Sequence, residues 1–170
     1  MLLEASDADF AILIEGEAPR GLRLPGGPIE AEPVLHLLRA LADKIRPNFS
    51  PCAWLLVEDG EVAGLLSITS IVVPGEVRIG YGVAPTRRGR GVATRAVADL
   101  LAWANEEPRL SVLHAETGAD NRASQRVLAA NSFIQVGGRF DDEDGALIVW
   151  RRELHSPPAP NQAASCTVSP

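Results

Sequence analysis

The stretch Ile79-Gly80-Tyr81-Gly82-Val83-Ala84-Pro85-Thr86-Arg87-Arg88-Gly89-Arg90-Gly91-Val92-Ala93 decides the fold. It reads as a buried strand, a basic glycine-rich turn and the first turn of an amphipathic helix. After Gly91 the apolar residues fall at Val92, Ala93, Ala96, Val97, Leu100, Leu101 and Ala104, one stripe with Arg95 and Asp99 outside it. The first turn of a helix carries backbone N–H groups with no partner inside the helix, and they point out of its N-terminus. Glycines at 89 and 91 let the main chain come close to a bound group, while Arg87, Arg88 and Arg90 add positive charge. These are the requirements for holding a phosphate or pyrophosphate. The stretch is an anion cradle.

Working outward, residues 77–83, 90–106 and 110–117 form a strand, a helix and a strand. That crossover implies a parallel pair inside an otherwise antiparallel sheet. Before it, Ala53–Val57 and Val62–Ile68 flank Glu58-Asp59-Gly60-Glu61, and Asp-Gly between apolar runs is a strong hairpin signal. Residues 1–5 read as a short strand, followed by a helix capped at Ser6 or Asp7 that runs to about Gly16. Residues 19–28 hold three prolines and three glycines and read as loop. Glu30 to Arg46 reads as a second helix, with Pro33 in its first turn and Pro47 as its stop. After residue 117, Asp120 or Asn121 caps a helix to about Asn131. Residues 133–136 and 146–151 are two last strands joined across the acidic turn 141–145. The expected order is β-α-α-β-β-β-α-β-α-β-β, an α/β fold on a mixed sheet. Residues 1–154 read as one domain. Residues 155–170, rich in Pro, Ala, Ser and Asn, read as a tail that is a candidate for contact with another chain, which leaves a homodimer open.

The composition is that of a globular protein, with 46% hydrophobic and 22% charged residues. No apolar run reaches the roughly 18 residues that a membrane span needs. The N-terminus lacks the basic-then-apolar pattern of a secretory signal. Two cysteines, Cys52 and Cys166, make neither a disulfide framework nor a metal site, so a cytoplasmic setting is expected. A formal net charge of -6 argues against nucleic acid as the main partner and is compatible with a cationic substrate.

Two segments together resemble the GNAT superfamily of acyl-CoA-dependent N-acetyltransferases. Arg88-Gly89-Arg90-Gly91-Val92-Ala93 is similar to that family's Arg/Gln-x-x-Gly-x-Gly/Ala acetyl-CoA signature, with a Gly-Tyr-x-Val-x-Pro strand just before it. Asn121-Arg122-Ala123-Ser124, then Val127-Leu128 and Asn131-Ser132-Phe133, resemble the matching segment of the ribosomal-protein alanine acetyltransferase branch. The resemblance covers roughly residues 53–152. It implies a mostly antiparallel sheet with a central parallel strand pair flanked by helices, acetyl-CoA as cosubstrate, no metal, and transfer to a primary amine. Two departures stand out. The usual Gly before Phe is replaced by Asn131-Ser132, and Asn131 is expected to take the left-handed helix cap. Many members carry a tyrosine acid where this chain has Leu128, whereas the branch with serine at position 124 often gives that hydroxyl the acid role.

The resemblance implies that Arg88, Gly89, Arg90, Gly91, Val92 and Ala93 hold the CoA pyrophosphate. It also implies that the main-chain N–H near Val83 binds the acetyl carbonyl, that Asn121 contacts the pantetheine or phosphate region, and that Ser124 lies near the thiol. For the base, Glu116, His114 and Glu76 are the candidates. His114 and Glu116 are two apart on a strand and point to one face. Glu116 is also placed to bond backbone N–H groups at the following helix N-terminus. An acyl-CoA-binding sensor or scaffold without transferase activity is the rival reading. A general nucleotide-binding domain is disfavoured by the second segment and by the lack of a lysine after the glycines.

Overall fold

The computed structural model describes residues 1–154; the tail at 155–170, with the expected contact to a second chain, lies outside the described residues. The elements are β1 (Leu2–Glu4), α1 (Asp7–Ile14), α2 (Glu32–Ile45), β2 (Ala53–Glu58), β3 (Glu61–Val73), β4 (Glu76–Val83), α3 (Val92–Glu106), β5 (Val112–Gly118), α4 (Arg122–Ala130), β6 (Ile134–Asp141) and β7 (Gly145–Glu153). The order matches the expectation. The strands make one sheet, β1-β2-β3-β4-β5-β7-β6, in which β4 and β5 alone run parallel. Among the described residues no helix is long and apolar enough to cross a membrane.

Local chemistry explains the elements. Ser6 and Asp9 form a reciprocal capping box at the start of α1. The hairpin turn places Asp59 at φ 49 and Gly60 at φ 74, as an Asp-Gly turn requires. β3 runs to Val73, past the expected Ile68. Its β-branched Thr69, Ile71, Val72 and Val73 suit a strand, and two register shifts absorb the added length. The last hairpin is likewise longer than expected, because Asp141 accepts N–H bonds from Glu143 and Asp144 and tightens the acidic turn to its base.

The core has two layers against the sheet. Paired residues across strands share a face, so Trp54, Leu66 and Tyr81 lie on one side and Leu55, Leu65 and Gly82 on the other. Trp103 of α3 stacks edge-on against Trp54, with ring centroids 5.0 Å apart, which puts α3 and its neighbour α4 on the first side. α1 and α2 cover the other. Val97, Leu100 and Ala104 of α3 are fully buried, as the stripe predicts.

One expectation is corrected. Asn131 does not take the left-handed cap: its φ is -98, and Ser132 adopts φ 60 instead. The Asn131 amide is committed elsewhere, donating to Val127 O at 2.9 Å and Thr94 O at 3.2 Å, which ties α4 to α3. Ser132 therefore makes the reversal, and Phe133 N–H closes it on Leu128 O at 3.0 Å.

Candidate active site

β4 and β5 pair only from Glu76↔Val112 to Ile79↔Ala115. Beyond that point β4 continues to Val83 against β3, and β5 continues to Gly118 against β7. Each strand follows its outer neighbour, so the parallel pair splays and opens the middle of the sheet. A cleft of about 710 Å³ lies beside the splayed end of β4, lined by Tyr81, Gly82 and Val83, the turn before α3, the first turn of α3 and the length of α4.

On the α3 side, Gly91 is the N-cap at φ 75, a conformation that favours glycine. No side chain caps this helix, and its first intrahelical bond runs from Arg95 N–H to Gly91 O. The N–H groups of Val92, Ala93 and Thr94 are therefore left at the open end, and all three residues line the cleft. Arg88 and Gly89 line it too, whereas Arg90 does not. The arginines differ in their ties. Arg87 pairs with Glu61, Arg88 Nε donates to Val83 O at 3.0 Å, and the Arg90 carbonyl accepts from Arg95.

Val83 lines the cleft at the end of β4. Ala84 N–H donates toward β3, to Ala63 O at 2.9 Å. Since N–H directions alternate along a strand, that of Val83 points the other way, into the opening. On the α4 side, Asn121 Oδ1 caps the helix by accepting Ser124 N–H at 3.1 Å, and both residues line the cleft. Tyr81 crosses the opening and donates its hydroxyl to Ser124 O at 3.2 Å. Burial pushes the Tyr81 phenol up to about 12, so its proton stays in place at neutral pH.

The three base candidates share the α1/α2 face but stand outside the cleft lining. Glu76 and His114, weighed separately in the sequence, meet at 2.6 Å. Glu116 does not bond the α4 N-terminus; Arg139 holds it through two contacts of 3.0 and 2.8 Å, with Arg78 at 3.6 Å. The Arg139 hydrogen bonds outweigh burial and, with the charge of Arg78, hold the Glu116 carboxyl below its ordinary range. A carboxylate so committed suits an anchor of this face better than a proton acceptor.

The lining also includes residues that the sequence motifs do not mark as site residues, among them Glu30, Tyr81 and Arg126. Glu30 was expected inside the second helix but lies just before the α2 N-cap, Ala31. Arg126 carried a faint signal, sitting two residues beyond Ser124 on a helix whose N-terminus faces the cradle. Among the described residues, no group of three or more His, Cys, Asp or Glu could hold a metal ion.

Residues 2–134 match the acetyltransferase (GNAT) domain family. No curated protein sequence matches the chain. Solved structures resemble it at low identity. One is an acetyl transferase from Salmonella typhimurium that modifies the N-terminal serine of ribosomal protein L7/L12, with 18% identity, TM-score 0.68, and 91% of this chain and 94% of that one covered. A second is the microcin C7 self-immunity acetyltransferase MccE in complex with acetyl-CoA and AMP, with 15% identity, TM-score 0.67 and coverage of 90% and 91%. A third is the aminoglycoside acetyltransferase AAC(6')-Ib in complex with coenzyme A, with 17% identity, TM-score 0.65 and coverage of 90% and 94%.

Proposed function

Since this chain belongs to the GNAT acetyltransferase family and is an acetyl-CoA-dependent N-acetyltransferase, we propose how its cleft carries out the transfer. The CoA pyrophosphate lies on the open N-terminus of α3, held by the N–H groups at Gly89, Gly91, Val92 and Ala93, with Arg88 supplying charge from the lining and Arg90 from outside it. The pantetheine arm passes Asn121 and runs toward the splay between β4 and β5. There the thioester carbonyl accepts the N–H of Val83. The single observation that carries this reading is the cleft itself, which joins an uncapped helix N-terminus to a gap in the sheet.

Transfer then proceeds directly in a ternary complex. The amine attacks the carbonyl carbon, the Val83 N–H stabilises the negative charge that develops on oxygen, and the sulfur leaves. Ser124 is among the lining residues, and its hydroxyl supplies a proton to the departing thiolate. Leu128, fully buried in the core, leaves that role to a residue nearer the opening. Glu76, His114 and Glu116 set the charge of the face from which the amine enters. The acceptor is a primary amine, either a protein N-terminus or a small molecule. The setting is cytoplasmic, in keeping with the unpaired thiol of buried Cys52.

The test pairs acetyl-CoA titration calorimetry with mass analysis of an amine panel: an N-terminal peptide, a polyamine and an aminoglycoside. Binding together with an acetylated amine supports the proposal. Binding without any acetylated product would favour a sensor or scaffold instead.

A further inference from the structure

One group in the cleft has no partner suited to it. Glu30 is the only carboxylate among the lining residues. Carboxylates on the strands are committed: Glu61 to Arg87 and Arg23, Glu58 to Arg95, Glu116 to Arg78 and Arg139, and Glu76 to His114. Glu30 instead makes one bond, from its neighbour's backbone: Ala31 N–H donates to Oε1 at 3.0 Å. Its other oxygen, Oε2, lies over Gly82, only 2.9 Å from where a Cβ on that residue would stand. Any other residue at position 82 would displace the carboxylate.

The chain holds Glu30 in this place from both sides. Ile29 before it is buried in the core at 3% exposure, and Ala31 after it is the N-cap of α2. Further back in the same loop, Pro25 O accepts the Thr86 hydroxyl at 2.6 Å, which fastens the loop to the turn before the cradle. Gly82 is on the α1/α2 face of β4, whereas Tyr81 is on the α3/α4 face and reaches Ser124. A thioester in the opening would thus have Glu30 on one side and Ser124 on the other. Among the described residues the Glu30 carboxylate carries no ion pair, and an ammonium group arriving beside it would supply one.

We propose that Glu30 is a catalytic residue: it binds the ammonium group of the acceptor through Oε2 and takes its proton. This rests on the acetyl-CoA reading given above and adds the acceptor's chemical class, an alkyl amine that is cationic at neutral pH. One N–H proton passes to Oε2, and the nitrogen lone pair forms the C–N bond to the thioester carbon. The C–S bond breaks with its electron pair on sulfur. The thiolate is protonated through Ser124, which recovers the second proton shed by nitrogen. The products are the amide and the CoA thiol, and Glu30 returns its proton to solvent.

The experiment compares wild type with Glu30→Gln, which keeps the shape and removes the charge. Titration of CoA reports the cofactor reading alone and should differ by no more than about twofold between them. Acetyl transfer to alkyl amines should fall about 100-fold in kcat/KM, within the usual span for loss of a general base. The deficit should narrow as pH rises toward about 10, where an alkyl amine becomes neutral without help. A second arm titrates butylammonium chloride into the protein, with and without CoA, and follows binding by NMR. Wild type should bind at least tenfold more tightly than the variant, and this arm decides the matter even if no amine in the panel is acetylated. Equal ammonium affinity in the two proteins, or transfer by Glu30→Gln within threefold of wild type across the pH range, would overturn the assignment.

Discussion

Leu128 packs in the core and is not among the residues that line the cleft. It occupies the position on α4 where many relatives carry a tyrosine, and it is fully buried among the core residues. Truncation to alanine would remove packed methyl groups and leave a cavity, at a cost of about 3 kcal/mol. The expected outcome for Leu128→Ala is a melting temperature lower by roughly 6–12 °C, measured calorimetrically, with affinity for CoA retained below the transition. A change in CoA affinity without loss of stability would place Leu128 in the site instead of the core. At this scale the sequence was legible where function follows from backbone geometry. Gly91, Val92, Ala93 and Asn121 all line the cleft, because a glycine motif and a helix start are local features. Glu30 and Tyr81 were not legible as site residues. Their importance comes from Gly82 and Ser124, partners brought to them only by the sheet and the packing of α4.

At the scale of elements, the approach to the cleft depends on how the loop between α1 and α2 is held. Asp9 in α1 is almost fully buried, and Arg20 in the loop donates to both of its oxygens, at 2.9 and 2.6 Å. Burial works against the charged form of Asp9, but the hydrogen bonds from Arg20 and Ser6 outweigh it and bring its pKa to about 2. A carboxyl lowered on folding stabilises the native state above its unfolded pKa, near 3.8, and loses that contribution as pH falls through about 2. Asp9→Asn should therefore cost about 2 kcal/mol near pH 6, measured by urea unfolding. The difference should shrink below about pH 4 and vanish near pH 2; a pH-independent difference would show that packing, not charge, is responsible. Capping and periodicity made α1, α2, α3 and the Asp59-Gly60 hairpin readable in advance, since both are encoded within a turn or two. The length of β3 was not, because its bulges depend on β4, the strand it pairs with.

Across the whole molecule, the glycine-rich turn before α3 is mechanically joined to the loop that carries Glu30 and to β3. Thr86, beside the cradle, bonds Pro25 in the loop between α1 and α2, and Arg87 reaches back to Glu61 on β3. A ligand that binds only the folded chain raises its stability by mass action, by about 2.7 kcal/mol at a hundredfold excess over Kd. Saturating CoA should accordingly raise the melting temperature by roughly 5–10 °C, with protection from proteolysis extending to residues 16–30. No thermal shift at saturation would argue against a CoA site in the cleft. The mixed sheet itself was readable from the order of strand, helix and strand. The splay that makes it a site was not, because it arises from β4 and β5 following different neighbours.

The measurement that bears most directly on this account is release of the CoA thiol from acetyl-CoA, followed with and without an alkyl amine, in wild type and Gly91→Glu. A glutamate at position 91 would be strained at φ 75 and would set a negative charge at the helix N-terminus proposed to hold the pyrophosphate. The account predicts amine-dependent thiol release by wild type, and release reduced to background in a Gly91→Glu protein that still shows a cooperative melt. Undiminished release by Gly91→Glu, or thiol release by wild type that no amine accelerates, would contradict it.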